Sequence, residues 1–174
     1  HHAWVPASLI KQEGDKATVS IPKYKDEQSM ICDGGRSAKE TEERVVKLKD
    51  YPSKVLPLQN VDGNNNMPEF ADMVNLPYLH EAAILYNLKK RHFLGKPYTR
   101  TGDIIIAVNP FQWFTDLYTE QKRGYYSNRL VWEDHQKDAR EGLEPHVYEV
   151  SALSYKGLAF GGDDQSILVS GESG

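Results

Sequence analysis

The residues with the most specific chemistry in this sequence form a short turn, Gly171-Glu172-Ser173-Gly174. A strand that runs into such a turn is the setting of a phosphate loop, G-x-x-x-x-G-K-[ST]. In that loop backbone N–H groups bind phosphate oxygens, the lysine contacts the β and γ phosphates, and the hydroxyl binds magnesium. The four residues match only the first half of the pattern. Alone they are a weak signal, because similar tetrapeptides occur by chance in turns and tails.

Two apolar runs are the predicted strands that would position this turn. Ser166 to Ser170 leads directly into Gly171, and Asp103 to Val108 ends at Asn109-Pro110. Nearly unbroken apolar runs suit strands that are covered on both faces, as in a mostly parallel sheet. With a helix between them, this part of the chain would be one side of a parallel α/β sheet, whose ligands bind at the carboxyl ends of the strands.

Pro145 begins the predicted helix between the two strands, and Gly161-Gly162 ends it. Its expected inner row is Val147, Val150 and Leu153. His146, at the start of this helix, is expected to cap or pack rather than bind a metal, because no second ligand stands at zinc-like spacing. The same expectation applies to His80, at the start of another predicted helix.

That other helix is predicted from Leu79 to His92. The apolar residues on its expected inner face recur at helical spacing, and they are Leu79, Ala82, Ala83, Leu85, Tyr86 and Leu88. Glu81 in the first turn and the basic run 89–92 in the last offset the helix dipole, and Gly95 and Pro97 close the helix. We expect the basic run to be a solvated helix end rather than a binding patch.

The first part of the chain consists of short β-prone runs separated by turn residues. Ala17 to Ile21 alternates apolar and polar residues, and Val45 to Leu48 is a second β-prone run. Gly14-Asp15 and Asp33-Gly34-Gly35 supply turn chemistry around them. Several short strands within about 55 residues predict a small β barrel.

The chain therefore divides into three predicted parts: a β barrel at residues 1–60, a linker at 61–68 and an α/β part at 69–174. The linker is predicted from the stretch Gly63 to Pro68, because Gly and Asn tolerate turn conformations and nothing there is expected to pack.

Composition and charge exclude several classes of protein. The 174 residues have 39% hydrophobic content and a net charge of −4, which fits a soluble globular protein. The weak acidity argues against nucleic acid or an anionic membrane as a partner. No apolar run approaches the roughly 20 residues of a transmembrane helix. Cys32 is the only cysteine, so an internal disulfide is excluded, a buried thiol is expected, and a reducing intracellular compartment is favoured.

The sequence resembles the start of a myosin heavy chain over nearly its whole length. The segments that carry the resemblance are Asp72–Glu81, Leu85–Leu88, Tyr98–Phe111, Glu144–Tyr148 and Gln165–Gly174. They are similar to the opening of the motor domain, its first central strand with the purine-binding turn, the next helix, and a strand with half of the phosphate loop. In the family that loop continues Ala-Gly-Lys-Thr. Trp4-Val5-Pro6 resembles the Src-homology-3-type barrel before many motors. The implied fold is a small N-terminal β barrel followed by an incomplete α/β P-loop NTPase motor domain.

The resemblance also implies site residues. They are Asn109, Pro110, Phe111 and Tyr118 at the nucleotide base, and Gly171, Glu172, Ser173 and Gly174 at the phosphates. An asparagine can pair with a base edge, and phenylalanine or proline offers a flat apolar wall. Gln112 stands where the family commonly has lysine, and the spacing to Tyr118 is one residue longer than usual. A plain strand-ending turn for Asn109-Pro110 and ordinary packing for Tyr118 are the alternatives.

We expect this chain to be an N-terminal fragment of an actin-based motor, ending within the phosphate loop. The resemblance implies that the complete motor binds ATP and Mg²⁺, hydrolyses ATP by positioning and electrostatic stabilisation, and communicates nucleotide state to actin filaments through switch loops. The loop's lysine and hydroxyl are not in the chain, so we assign it no catalytic and no metal-binding residue. The fragment is expected to be inactive without the remainder of the motor domain. The implied location is cytoplasmic and cytoskeleton-associated.

Two alternatives remain open from the residues. The chain could be a complete, non-enzymatic interaction protein whose barrel binds a partner. It could also belong to another P-loop ATPase or a nucleotide kinase, although such enzymes usually place the phosphate loop after their first strand. The residues that follow Gly174 in the reading frame distinguish the motor from an interaction protein.

Overall fold

The structure is a computed structural model that describes residues 4–24, 38–64, 66–133 and 139–171. The chain divides into two compact units, His1–Lys96 and Pro97–Gly174. Cys32, the turn 33–35 and residues 172–174 lie outside the described residues. The domain boundaries at residues 60 and 68 stay predictions.

An antiparallel sheet begins the first unit. β1 (Ser8–Glu13) pairs with β2 (Lys16–Pro22), and β2 pairs with β3 (Thr41–Lys47). Gly14 makes the β1–β2 turn with a φ of 57°, which a residue without Cβ adopts at little cost. The two β-prone runs are confirmed as parts of β2 and β3. Among the described residues of this unit the three strands do not close into a barrel, so the predicted barrel is seen only as an open sheet.

Side chains hold the irregular segment between this sheet and the following helix. Asn60 bonds both backbone groups of Tyr78, at 2.9 and 2.7 Å. Asn87 bonds both backbone groups of Phe70 at the same two distances. Each side-chain amide therefore pairs with the N–H and the C=O of one residue outside the helices and strands, as a neighbouring strand would. Met67 is buried, so the expectation that nothing packs between residues 61 and 68 is wrong at that position.

Helix α1 spans Glu81–Phe93, close to the prediction of 79–92. His80 caps its first turn, since its Nδ1 accepts a hydrogen bond from the Ala83 N–H at 3.1 Å. Gly95 follows the last turn with a φ of 72°, as a helix-ending glycine does. The predicted capping role of His80 and the predicted helix end are both confirmed.

The inner face of α1 matches the prediction only at Ala83, and its other buried residues are polar. Leu79 and Leu85 are exposed, and the buried positions are Ala83, Asn87 and Arg91. Arg91 binds the carboxylate of Glu69, and Lys90 donates to the Met67 carbonyl. The basic run 89–92 is therefore not a solvated helix end, because its side chains find acceptors in the segment that precedes the helix.

A two-stranded antiparallel hairpin begins the second unit. β4 (Tyr98–Thr101) pairs with β5 (Ile104–Ala107) through a turn at Gly102-Asp103. Gly102 has a φ of 64°, so the chain reverses there and the preceding residues become the strand partner. The predicted strand at Asp103–Val108 is therefore confirmed as Ile104–Ala107. Its predicted place in a parallel sheet is wrong, because the pairing is antiparallel and Ile104 is exposed rather than covered.

Two helices pack together after the hairpin. α2 (Glu120–Ser127) continues into a π-helical turn, Asn128–Trp132, and α3 (Val147–Lys156) continues into another, Gly157–Gly161. Their shared core consists of Tyr126, Leu130, Val131, Leu143 and Ala152. The predicted helix after Pro145 is confirmed, with His146 as its cap: Nδ1 accepts from the Tyr148 N–H at 3.0 Å.

The predicted inner row of α3 is wrong. Val147 and Leu153 are more than one-third exposed, whereas Glu149 and Ala152 are buried. The buried carboxylate of Glu149 binds Arg100 of β4. The buried face of α3 is therefore shifted by one residue position from the face that the apolar pattern predicts.

Residues 162–171 form no helix or strand. Leu168 and Val169 are 92% and 85% exposed, so the predicted buried strand at Ser166–Ser170 is wrong in this structure. A strand needs a neighbour to satisfy its backbone groups. The part of the chain that the structure describes places no strand beside this run.

Candidate functional site

The turn after β5 holds the candidate base-binding residues. The Oδ1 atom of Asn109 accepts a hydrogen bond from the Phe111 N–H at 2.8 Å, which closes an Asx turn. Phe111 has a φ of 50°, in the left-handed region that residues other than glycine rarely occupy. Its ring is 92% exposed. The turn thus exposes a flat apolar ring although the backbone of Phe111 is in an unfavourable conformation. Strained backbone of this kind is common at binding sites.

Tyr118 lies at the same end of the hairpin as this turn. Its hydroxyl is 2.6 Å from the hydroxyl of Tyr98, and Tyr98 pairs with Ala107, two residues before Asn109. Burial and the hydrogen bond with Tyr118 raise the pKa of Tyr98 above its ordinary value, so the Tyr98 hydroxyl keeps its proton. About half of Tyr118 remains exposed.

Four tyrosine rings surround the imidazole of His146. The ring centroids of Tyr98, Tyr118, Tyr126 and Tyr148 lie 5.0, 5.7, 5.2 and 4.5 Å from that of His146. Burial lowers the pKa of His146, with the nearby charge of Lys122 acting in the same direction and the hydrogen bond to the Leu117 carbonyl opposing them. Burial likewise raises the pKa of Tyr126 to about 12. For both His146 and Tyr126, burial therefore favours the uncharged form.

A buried ion pair fixes the hairpin to α3. Arg100 donates from Nε to Glu149 Oε1 at 2.9 Å and from Nη2 to Oε2 at 2.6 Å, and it also donates to the Leu143 carbonyl at 3.3 Å. At the hairpin turn, Arg140 donates to the Asp103 carboxylate at 2.9 Å. These residues hold the strand that leads to Asn109. Sequence reasoning missed both pairs, because their members are 49 and 37 positions apart.

The second half of the predicted site is described only at Gly171. That residue is exposed, and a Cβ built on it would meet no heavy atom of the described chain within 4 Å. Its backbone is therefore open to a ligand. Glu172, Ser173 and Gly174 lie outside the described residues, so their part of the phosphate cradle stays a prediction.

No group of three or more His, Cys, Asp or Glu side chains in the described ranges is arranged to hold a metal ion. The helices within those ranges include none with the length and apolar character to span a membrane.

Comparison with known proteins gives the family. Residues 70–174 match the family model of the myosin head, the motor domain. The chain belongs to the myosin motor-domain family. The myosin match includes both the turn at Asn109 and the glycine-containing run at Gly171.

The curated relatives that match include plant myosins. The chain is 42% identical over 173 residues to Myosin-13 of Arabidopsis thaliana, which covers 99% of this chain and 9% of the relative. It is 33% identical over 174 residues to Myosin-6 of the same plant, with the same coverage of both proteins. Protein OPAQUE1 of Zea mays is 41% identical over 129 residues, or 74% of this chain and 8% of that protein. The chain thus spans less than a tenth of the length of these relatives.

Proposed function

We propose that this chain supplies the base-binding turn and the first half of the phosphate loop of an actin-based myosin ATPase. The observation that carries the proposal is the motor-domain match over residues 70–174, which includes both motifs. The site residues would be Asn109, Pro110, Phe111 and Tyr118 for the base, and Gly171 to Gly174 for the phosphates. The corresponding location is cytoplasmic, with the actin cytoskeleton.

The geometry at the base end fits a purine. The Asn109 amide nitrogen has no partner among the described residues and could donate to a base edge. The exposed ring of Phe111 offers a stacking surface, and the half-exposed Tyr118 lies at the same end of the hairpin. Pro110 lies between Asn109 and Phe111 and limits the backbone freedom of the turn.

The phosphate end is incomplete in these 174 residues, which contain no Gly-Lys-Thr or Gly-Lys-Ser triplet. When bound in a complete motor, MgATP would supply the phosphoryl group that is transferred to water, and the metal would neutralise charge on the phosphates. Gly171 and its neighbours would contribute backbone N–H groups to the phosphates. The lysine and the magnesium-binding hydroxyl would come from other residues, so we propose that the isolated chain lacks ATPase activity.

The first test is the reading frame beyond Gly174. A continuation of Ala-Gly-Lys-Thr followed by the rest of a motor domain supports the proposal. A stop codon there contradicts it and favours a non-enzymatic interaction protein. Because the chain belongs to the myosin motor family, the nucleotide-kinase alternative is set aside.

The second test measures ATP binding by calorimetry. The motor-length protein should bind ATP and show actin-activated hydrolysis, and the 174-residue chain alone should show neither. Phe111→Gly should weaken ATP binding by the motor about fivefold or more, the value of a lost stacking contact of about 1 kcal/mol. It should not lower stability, because the ring is exposed and glycine tolerates the positive φ. Hydrolysis by the isolated chain, or unchanged binding in Phe111→Gly, would contradict the assigned roles.

A further inference from the structure

Both nitrogens of His146 are used in hydrogen bonds to different segments. Nδ1 accepts from the Tyr148 N–H at 3.0 Å in the first turn of α3, and Nε2 lies 2.9 Å from the Leu117 carbonyl oxygen. A carbonyl only accepts, so Nε2 carries the proton and Nδ1 keeps its lone pair. The two contacts therefore select one neutral tautomer and connect the start of α3 with the residue before Tyr118.

The imidazole is held in place as well as bonded. His146 is 2% exposed, and the four tyrosine rings described above enclose it. A protonated ring would present an N–H to the Tyr148 N–H and would lose the cap of α3. Burial also lowers the pKa of His146, which favours the neutral form that both contacts require.

The segment that His146 contacts has little structure of its own. Residues 112–118 form neither helix nor strand, and their one described internal backbone bond runs from the Leu117 N–H to the Phe114 carbonyl at 3.2 Å. The segment is fixed at its end by the contact of Leu117 with His146 and by the contact of Tyr118 with Tyr98. His146 therefore supplies one of the two contacts that set the position of Tyr118.

We propose that His146 is a positioning residue for nucleotide recognition: by binding the Leu117 carbonyl, it sets Tyr118 beside the turn at Asn109 to Phe111. This inference rests on the proposed function, because it requires the base to lie against that turn. His146 is not among the residues proposed to bind the phosphates. Its loss should weaken recognition of the base and leave recognition of the triphosphate unchanged.

The chain contains a matched control. His80 uses its two nitrogens in the same way: Nδ1 accepts from the Ala83 N–H at 3.1 Å, and Nε2 lies 2.8 Å from the Leu58 carbonyl oxygen. It belongs to the first unit and to none of the candidate site residues. Asparagine is a good helix cap, but its shorter side chain does not reach the distant carbonyl. His146→Asn therefore removes the hydrogen bond from Nε2 to the distant carbonyl and keeps a helix cap. His80→Asn makes the equivalent change in the first unit.

The experiment uses the motor-length protein and compares its affinities for ATP and for inorganic tripolyphosphate, which has no base. The wild type should prefer ATP. His146→Asn should reduce the ratio of the two affinities about fivefold to tenfold, the value of one net hydrogen bond, with tripolyphosphate binding unchanged. His80→Asn should keep the wild-type ratio within about twofold. Amide hydrogen exchange should speed up across residues 112–118 in His146→Asn only.

Each outcome decides a different point. A wild type that binds ATP and tripolyphosphate equally would overturn the base pocket of the proposed function, and this inference with it. A wild type that prefers ATP, with the same preference in His146→Asn, would overturn the inference alone. Faster exchange without a changed ratio would also overturn it, because His146 would then have only a structural role.

Discussion

Each unit buries an arginine against a glutamate, but the two pairs differ in how completely they exclude water. In the second unit the side chains of Arg100 and Glu149 are 7% and 3% exposed and meet in a two-point contact. In the first unit Arg91 is fully buried, whereas the side chain of Glu69 is 20% exposed and binds Lys96 as well. One pair is closed, and the other is an open cluster of one carboxylate and two cations.

The difference shows how the same chemistry can serve two purposes. A closed pair is costly to break, because the remaining charge stays buried. An open cluster has water and a second cation available, so the loss of one member is partly compensated. The closed pair fixes the hairpin that leads to the candidate base turn. The open cluster anchors the irregular segment before α1.

The largest expected effect comes from opening the closed pair. Glu149→Leu should lower the free energy of unfolding by about 3–5 kcal/mol in urea denaturation, because the Arg100 guanidinium loses its carboxylate in the interior. The double variant Arg100→Met/Glu149→Leu should recover most of that loss. The exposed pair of Arg123 and Glu120 supplies the control. Glu120→Leu should change stability by less than about 1 kcal/mol, and a comparable cost for both leucine variants would show that burial does not decide the effect.

The same substitution in the open cluster should cost less. Glu69→Leu should lower the free energy of unfolding by about 1–3 kcal/mol. Arg91 stays buried without its carboxylate, but the side chain of Glu69 is 20% exposed, so water can reach the vacated contact, and Lys96 can turn to water. Urea denaturation at neutral pH measures it directly. A cost equal to that of Glu149→Leu would remove the distinction between the two regions.

Acid should distinguish the open cluster further. Burial pushes the pKa of Glu69 upward, but hydrogen bonds from Lys96 and Arg91 and their charges outweigh it, so the pKa lies below the usual 4.5. The folded state then binds fewer protons than the unfolded state, and the contribution of Glu69 is complete above pH 4.5 and is lost as the pH falls below it. The stability difference between wild type and Glu69→Gln should therefore narrow in acid. A constant difference would contradict the lowered pKa.

The smallest effect is expected at Lys96. Its side chain is about one-third exposed, and Arg91 continues to bind Glu69 without it. Lys96→Met should therefore change the free energy of unfolding by less than about 1 kcal/mol. A larger loss of unfolding free energy in urea denaturation would mean that Lys96, rather than Arg91, makes the main contribution of the cluster to stability.

Local chemistry explains the parts of the fold that could be predicted. The alternation in Ala17–Ile21 reflects one covered face of β2, and the ends of α1 follow from a capping histidine and a helix-ending glycine. These signals need only neighbouring residues. The Gly102-Asp103 turn carries a signal of the same kind, a two-residue hairpin loop after a β-prone run, and it could have indicated the antiparallel hairpin.

The inner faces of α1 and α3 could not be read from apolar spacing. Both helices bury polar side chains that have distant partners. Asn87 binds the backbone of Phe70, and Glu149 binds Arg100. The partners of these two side chains are 17 and 49 positions away. A periodicity argument counts such residues as solvent-facing, since nothing nearby in the sequence shows that a partner exists.

The residue types of the candidate site could be predicted from the sequence. The backbone conformation and the packing that hold them in place could not. The turn at Asn109 and the run at Gly171 are visible as motifs, but the positive φ of Phe111 and the enclosure of His146 depend on packing. The strand at Ser166–Ser170 was predicted from an apolar run that leads into Gly171 and from the family resemblance of Gln165–Gly174. Such a run indicates a preference for extended backbone, and only a neighbouring strand can satisfy it.

The π-helical turns at the ends of α2 and α3 have a consequence for comparing lengths among relatives. Trp132, at the end of the first turn, lies 6.2 Å from the Tyr155 ring and 5.7 Å from the Phe160 ring, measured between centroids. A π turn holds one more residue than the hydrogen-bonded turn of an α-helix. The π turn absorbs its extra residue, so a homologue with one residue fewer between positions 128 and 132 would form an ordinary α-helical turn and keep its indole at nearly the same angle around the axis. A single gap in an alignment at these positions would thus be compatible with this aromatic contact.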